Sequence, residues 1–117
     1  MRVSAATALA GSLVSHSSAG EFVRRGMPGI GGLLAAAGRD RGFGDYYGYV
    51  LVASGRAEVM LDARAAPWDL AAPKLLVEEA GGRMTSLRGT DSIYEEGAVA
   101  TNGPLHEAVL AFLGPRG

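Results

Sequence analysis

Residues 57–82, AEVMLDARAAPWDLAAPKLLVEEAGG, hold a strand, a short loop and a helix in direct succession. Val59 and Leu61 alternate with Glu58 and Met60, which predicts a strand over Ala57–Asp62. Pro67 ends the loop that follows. From Trp68 to Ala80 a helix is expected, with Leu70, Leu75, Leu76 and Ala80 on its apolar face, Glu78 and Glu79 outside it, and Gly81-Gly82 as its stop. Asp69 stands near the amino end, where a carboxylate caps the helix. Pro73 requires a place in or near the first turn, where its missing N–H is not needed. A strand running straight into a helix, in a chain of this length and composition, fits one compact α/β or α+β domain.

Outward from this unit the pattern repeats. Residues 8–16 read as a strand, and Ser17-Ser18 offers an N-cap for a short helix through Arg25 that Gly26 stops. Pro28-Gly29-Ile30-Gly31-Gly32 is a loop or helix entrance, Leu33 to Ala37 the helical body and Gly38 its end. The glycines do not make a phosphate loop, because Leu34 stands where G-x-G-x-x-G requires its third glycine and no Walker lysine follows. Arg41-Gly42-Phe43-Gly44-Asp45 is a turn ending in an N-cap, after which Tyr46, Tyr49, Val50 and Ala53 recur at helical spacing. Downstream, a strand over Arg83 to Leu87, a polar loop from Gly89 to Gly97, a strand over Val99 to Thr101 and a helix from about Pro104 to Leu113 complete the chain.

A chain of 117 residues that is 48% hydrophobic and 20% charged builds one core. Its formal net charge of −1 provides no field to gather nucleic acid or anionic lipid, so neither is an expected partner. No cysteine and only two histidines, His16 and His106, argue against zinc chemistry. Residues 3–20 are too polar to span a bilayer, and Gly11, Ser12 and Ser15 interrupt any signal-peptide core. A cytosolic protein is expected.

Asp62 and Asp69 are the informative pair, a strand-ending and a helix-starting carboxylate joined by a short loop. Two such acids can hold a hard cation such as Mg²⁺, and the helix dipole favours phosphate nearby. The competing reading makes Asp69 a plain helix cap worth about 1 kcal/mol and Asp62 an ordinary loop acid. Trp68 reads as a core anchor. Glu78-Glu79 lies on a solvated helix face, and Glu95-Glu96 in a loop without histidine or arginine beside it.

The words Pro67-Trp68-Asp69-Leu70-Ala71-Ala72 and Val77-Glu78-Glu79-Ala80-Gly81-Gly82 resemble the C-terminal signature of the inositol monophosphatase family of Mg²⁺-dependent phosphomonoesterases. The resemblance takes in Arg41 to Tyr49, Leu51 to Glu58 and Ala98 to Gly103, and within the family it is most like the bacterial histidinol-phosphate phosphatases. It implies an α/β fold, the C-terminal part of the layered αβαβα sugar-phosphatase architecture with a mixed sheet flanked by helices. It also implies hydrolysis of a small phosphorylated alcohol, with cations polarising the phosphate for in-line attack by water, in a homodimeric full-length enzyme. Carried over by position, Asp69 is implied as a metal ligand and Asp62 as a contact to the substrate's alcohol portion. Gly44 and Asp45 are implied at the turn facing the substrate, where Asp45 can pair with the ammonium group of histidinol phosphate. Asn102-Gly103 takes a structural role only.

Family members are roughly twice this length. Their other metal ligands lie in a Gly-Glu-Glu strand and an Asp-Pro-x-Asp-Gly-Thr motif, and the chain has neither. Residues 1–117 are therefore expected to be the C-terminal domain of such an enzyme, inactive alone because Mg²⁺ is seldom held by one or two carboxylates. Exposed apolar surface and association are expected as well. The shared motif leaves open an inositol or fructose bisphosphate phosphatase, and a non-catalytic truncated or split-partner module is the alternative from another class.

Overall fold

The computed structural model describes residues 1–27, 29–43, 45–95 and 97–114, the Asp45 side chain excepted. Gly44 and the side chain of Asp45, two of the expected substrate contacts, thus lie outside the described residues.

Ten elements follow one another: β1 (Leu13–His16), α1 (Ala19–Arg24), α2 (Gly29–Ala37), β2 (Arg39–Arg41), α3 (Asp45–Ala53), β3 (Val59–Asp62), α4 (Pro67–Glu79), β4 (Arg83–Thr85), β5 (Ala98–Thr101) and α5 (His106–Leu113). The five strands form one mixed sheet in the order β2-β1-β3-β5-β4. β1 is parallel to β2 and β3, whereas β5 is antiparallel to β3 and β4. The α/β class with a mixed sheet flanked by helices is the architecture the sequence led us to expect.

Strand β3 is central and buried along its whole length, as a strand covered on both faces must be. Val59 and Leu61 pack with Phe22, Leu33 and Val109 of α1, α2 and α5. Met60 packs on the other face with Tyr49 and Val52 of α3 and Leu70 and Val77 of α4. Gly48 makes the α3 contact close: a Cβ there would collide with the Met60 sulfur and lie 2.7 Å from the Phe43 carbonyl oxygen. Just before β3, the Glu58 carboxylate accepts from Leu13 N–H at 2.8 Å and so joins the starts of β1 and β3.

Several boundaries differ from expectation. β1 starts only at Leu13, because Gly11 turns the chain at φ 81°. Arg39–Arg41, unassigned in the sequence, is a fully exposed parallel edge strand; its charges guard the open edge and erase the apolar pattern that would announce it. Pro73 sits in the second turn of α4, inside the helix rather than in its first turn, and is buried. Having no N–H, it leaves the Asp69 carbonyl without its usual i+4 donor. Leu75 is exposed, since Leu70, Pro73 and Val77 form the inward face of α4 instead. No helix of the described residues is long and apolar enough to cross a membrane.

Several polar groups are buried beside this core, His106 among them. His106 is fully buried, its Nε2 2.8 Å from Thr85 Oγ1 on β4 and its Nδ1 2.9 Å from Thr101 Oγ1 on β5. Thr85 already donates to the Ser86 carbonyl, so it accepts from Nε2–H, and the Thr101 hydroxyl donates to Nδ1. The neutral ring is thereby fully paired. Burial first, then Arg83, lowers the His106 pKa to about 4, against a small opposing effect of Glu107. A folded-state pKa below the unfolded value means stability is full above about pH 6.5 and falls as pH drops toward 4, by about 3 kcal/mol in all. His106→Gln is expected to flatten the decline between pH 6.5 and 4.5 in urea-unfolding midpoints; equal slopes in both proteins would contradict this account.

Candidate functional site

The parallel strands β1 and β3 end side by side, and in open α/β sheets the carboxyl ends of such strands open onto a crevice. Here a cleft of about 840 Å³ occupies that position. Ser17 and Ser18 reach it from the end of β1, Asp62 from the end of β3, and Trp68, Asp69 and Pro73 from the amino-terminal half of α4. Tyr46 and Tyr49 of α3 close another side.

Asp62 and Asp69 are thus brought together in one concavity, as the strand–loop–helix reading required. Their environments differ. Asp62 is buried and its Oδ2 accepts from the Tyr49 hydroxyl at 3.2 Å. Burial first, and then the Asp62 charge, hold the Tyr49 hydroxyl far above its ordinary pKa, with a lesser contribution from Asp69. Tyr49 therefore stays protonated and remains a donor that orients Asp62. Asp69 is solvent-accessible on the cleft wall, and its Oδ2 accepts from Ala66 N–H at 3.3 Å. The capping and the cleft-facing readings of Asp69 are accordingly not exclusive: the side chain caps the helix from a position that lines the cavity.

The loop leaving β3 is pinned by its neighbours. Ala63 N–H donates to Ser17 Oγ at 3.1 Å, Ser17 N–H donates to the Leu61 carbonyl at 2.9 Å, and the Arg25 guanidinium donates to the Ala63 carbonyl. Glu21 lines the cleft between Arg24 and Arg64, at 3.2 and 3.3 Å. Its hydrogen bond from Arg24, then the charge of Arg64, lowers its pKa against a desolvation effect that opposes them.

Trp68 corrects the sequence reading. Rather than anchoring the core it is 81% exposed on the cleft rim, because the second residue of α4 precedes the stripe that faces the sheet. Tyr49 was legible only as a helix-face residue; its hydroxyl partner emerges from the packing of α3 on β3. A buried tyrosine does need a partner for its hydroxyl, and that was the one available signal. Ser17 reads as part of a cap region, and nothing in its local sequence brings it to the loop that leaves β3.

As donors for a cation, Asp62 and Asp69 offer the carboxylate oxygens that Mg²⁺ prefers. Among the described residues, no group of three or more His, Cys, Asp or Glu side chains comes together as a metal site. The residues present therefore fit one wall of such a site.

Comparison with known proteins accords with this geometry. The chain is 40% identical over 114 residues to a histidinol-phosphatase of Mycobacterium tuberculosis, an alignment that covers 97% of this chain and 44% of that protein. The solved structure of the IMPase from Thermotoga maritima superposes with a TM-score of 0.84 at 27% identity, covering 97% of this chain and 44% of the other. An IMPase/NADP phosphatase complexed with Mg²⁺ and phosphate shares the fold at 24% identity, with a TM-score of 0.80 over all of this chain and 44% of that one. The chain spans less than half the length of the curated relatives it matches. Together with the double motif on α4, the match of the family pattern over residues 5–113 means that the chain belongs to the inositol monophosphatase family.

Proposed function

We propose that this chain is the C-terminal domain of a Mg²⁺-dependent phosphomonoesterase acting on a small alcohol phosphate, histidinol phosphate above all. The observation that carries the reading is the convergence of Asp62 and Asp69 on one cleft at the ends of parallel strands. The histidinol-phosphatase relative at 40% identity supports the choice of substrate. Asp69 holds the metal in this proposal, and Asp62, oriented by Tyr49, accepts from a hydroxyl or ammonium group of the leaving alcohol. When bound, Mg²⁺ supplies charge that polarises the phosphate.

The remaining ligands come from polypeptide outside this sequence, in keeping with the share of each relative that the chain covers. The homodimer implied by the family resemblance belongs to the completed enzyme. Exposed Phe43, Tyr47, Leu75 and Phe112 support the presence of further protein against this domain. An inositol or fructose bisphosphate phosphatase is the second reading, since the α4 motif does not encode the leaving alcohol.

The isolated chain is expected to release phosphate from histidinol phosphate with Mg²⁺ at no more than the background rate. Once the missing ligands are restored by extending the reading frame upstream, Asp69→Asn is expected to lower kcat/KM by about 100-fold or more at unchanged folding. Full activity of the extended Asp69→Asn protein would remove Asp69 from the metal site.

Asp45 stands at the start of the helix that delivers Tyr49. In the extended enzyme, Asp45→Asn is expected to reduce the ratio of kcat/KM for histidinol phosphate to that for inositol phosphate, through loss of a charge partner for the ammonium group. An unchanged ratio would dismiss that role.

A further inference from the structure

His16 is a buried titratable residue to which the proposed reaction gives no part. It ends β1, immediately before Ser17, and its ring lies beside the turn at Gly42, where a Cβ would stand 3.8 Å from the His16 Cε1. Ser17 and Gly42 both line the cleft, so the imidazole sits between two parts of its wall. Both ring nitrogens meet acceptors. Nδ1 is 2.8 Å from the Ser17 carbonyl oxygen, and Nε2 is 3.0 Å from Asp40 Oδ2 on β2. A carbonyl and a carboxylate accept hydrogen bonds without donating, so the two contacts are satisfied together when each nitrogen carries a proton. The neutral ring has one N–H and turns a lone pair toward the other oxygen. His106, by contrast, has a donor on one side and an acceptor on the other, which suits a neutral ring.

The pairing reaches the carboxylates through Ser17. Besides holding the His16 ring with its carbonyl, Ser17 donates its N–H to the Leu61 carbonyl and accepts from Ala63 N–H on Oγ. Leu61 and Ala63 flank Asp62, so the placing of Ser17 sets the placing of that side chain. Other charged groups on the adjoining elements are engaged elsewhere. Arg39 and Arg41 alternate to the face of β2 opposite Asp40, the first donating to the Gly11 carbonyl and the second to the Asp40 carbonyl. Glu21 of α1 pairs with Arg24 and Arg64, and Arg25 donates to the Ala63 carbonyl. Helix α2 carries no charge, and Asp62 turns to Tyr49 on the other side of the sheet.

We infer that His16 is a positioning residue whose doubly protonated ring, held between the Ser17 carbonyl and Asp40, fixes the cleft wall around Asp62 and makes binding of the phosphorylated alcohol depend on pH. The inference rests on the phosphatase reading above and adds to it the regulation of that same site. Its sign follows from the pairing: the protonated ring makes both bonds and holds Ser17, so binding is tighter in acid and loosens as pH rises and one bond is lost.

Asparagine at position 40 isolates the effect, because its amide offers an oxygen to an N–H or an N–H to a lone pair and so pairs with the ring in either state. In the upstream-extended enzyme, the KM for histidinol phosphate in wild type divided by that in Asp40→Asn at the same pH cancels the titrations of substrate and metal ligands. This ratio is expected to rise about fivefold between about pH 5.5 and 8.5, with kcat changing less. The ratio of wild type to His16→Gln is expected to rise in parallel, since glutamine does not titrate. In ¹⁵N-histidine NMR, the His16 signal, identified by its loss in His16→Gln, is expected to show both nitrogens protonated at the acid end and to lose one proton where the KM ratio rises. A flat ratio, or a His16 ring with a single N–H at the acid end, overturns the inference while the phosphatase reading stands. A wild-type extended enzyme that hydrolyses neither histidinol phosphate nor inositol phosphate anywhere in this range overturns that reading instead.

Discussion

Strand β3 has no solvent face, and from that constraint the arrangement of the cleft follows. Val59 and Leu61 pack against α1, α2 and α5, and Met60 packs against α3 and α4. Because side chains alternate, a slip of one residue would turn every one of them to the wrong layer. The register therefore also determines where Asp62 points: to the side of Met60, toward α3, where the Tyr49 hydroxyl meets it. Gly48 lets α3 approach closely enough for that contact.

The polar parts of the domain use the same economy. Buried hydrogen-bonding groups must be paired, and His106 pairs with one threonine on each of two adjacent strands, so that a single imidazole joins β4, β5 and α5. At the opposite end of the sheet, Ser17 does similar service between β1 and the loop after β3. That loop carries the chain from the buried Asp62 to the accessible Asp69. The two carboxylates consequently occupy one cavity in unlike surroundings, one desolvated and oriented by a phenol, the other open to solvent and held by a backbone amide. The chain spans less than half the length of its relatives, and in the proposed function the further oxygens that a hard cation requires come from outside it.

Most of the fold could be read from local pattern. The β3–α4 unit, the caps at Ser18 and around Gly81-Gly82, and a strand over Val99 to Thr101 were all visible in periodicity and stop signals, the last beginning one residue earlier in the structure. The edge strand Arg39–Arg41 was not, because an exposed charged triplet carries no alternation. Nor was the interior place of Pro73, since a proline's cost in a helix is met by tertiary packing that local sequence does not display. Trp68 was misread for a related reason: size and apolarity favour burial on average, but the helical position decides which face a residue takes.

The sequence by itself determined the α/β class, the order of most elements, the pairing of Asp62 with Asp69 across a short loop, and the family motif on α4. These depend on spacing within a few turns of chain, where periodicity and turn chemistry act. Only the tertiary structure decided that Tyr49 orients Asp62, that Ser17 anchors the loop after β3, and that Trp68 and Tyr46 stand open on the same cleft. Those contacts join residues far apart in the chain, and they exist because both faces of one buried strand must be covered.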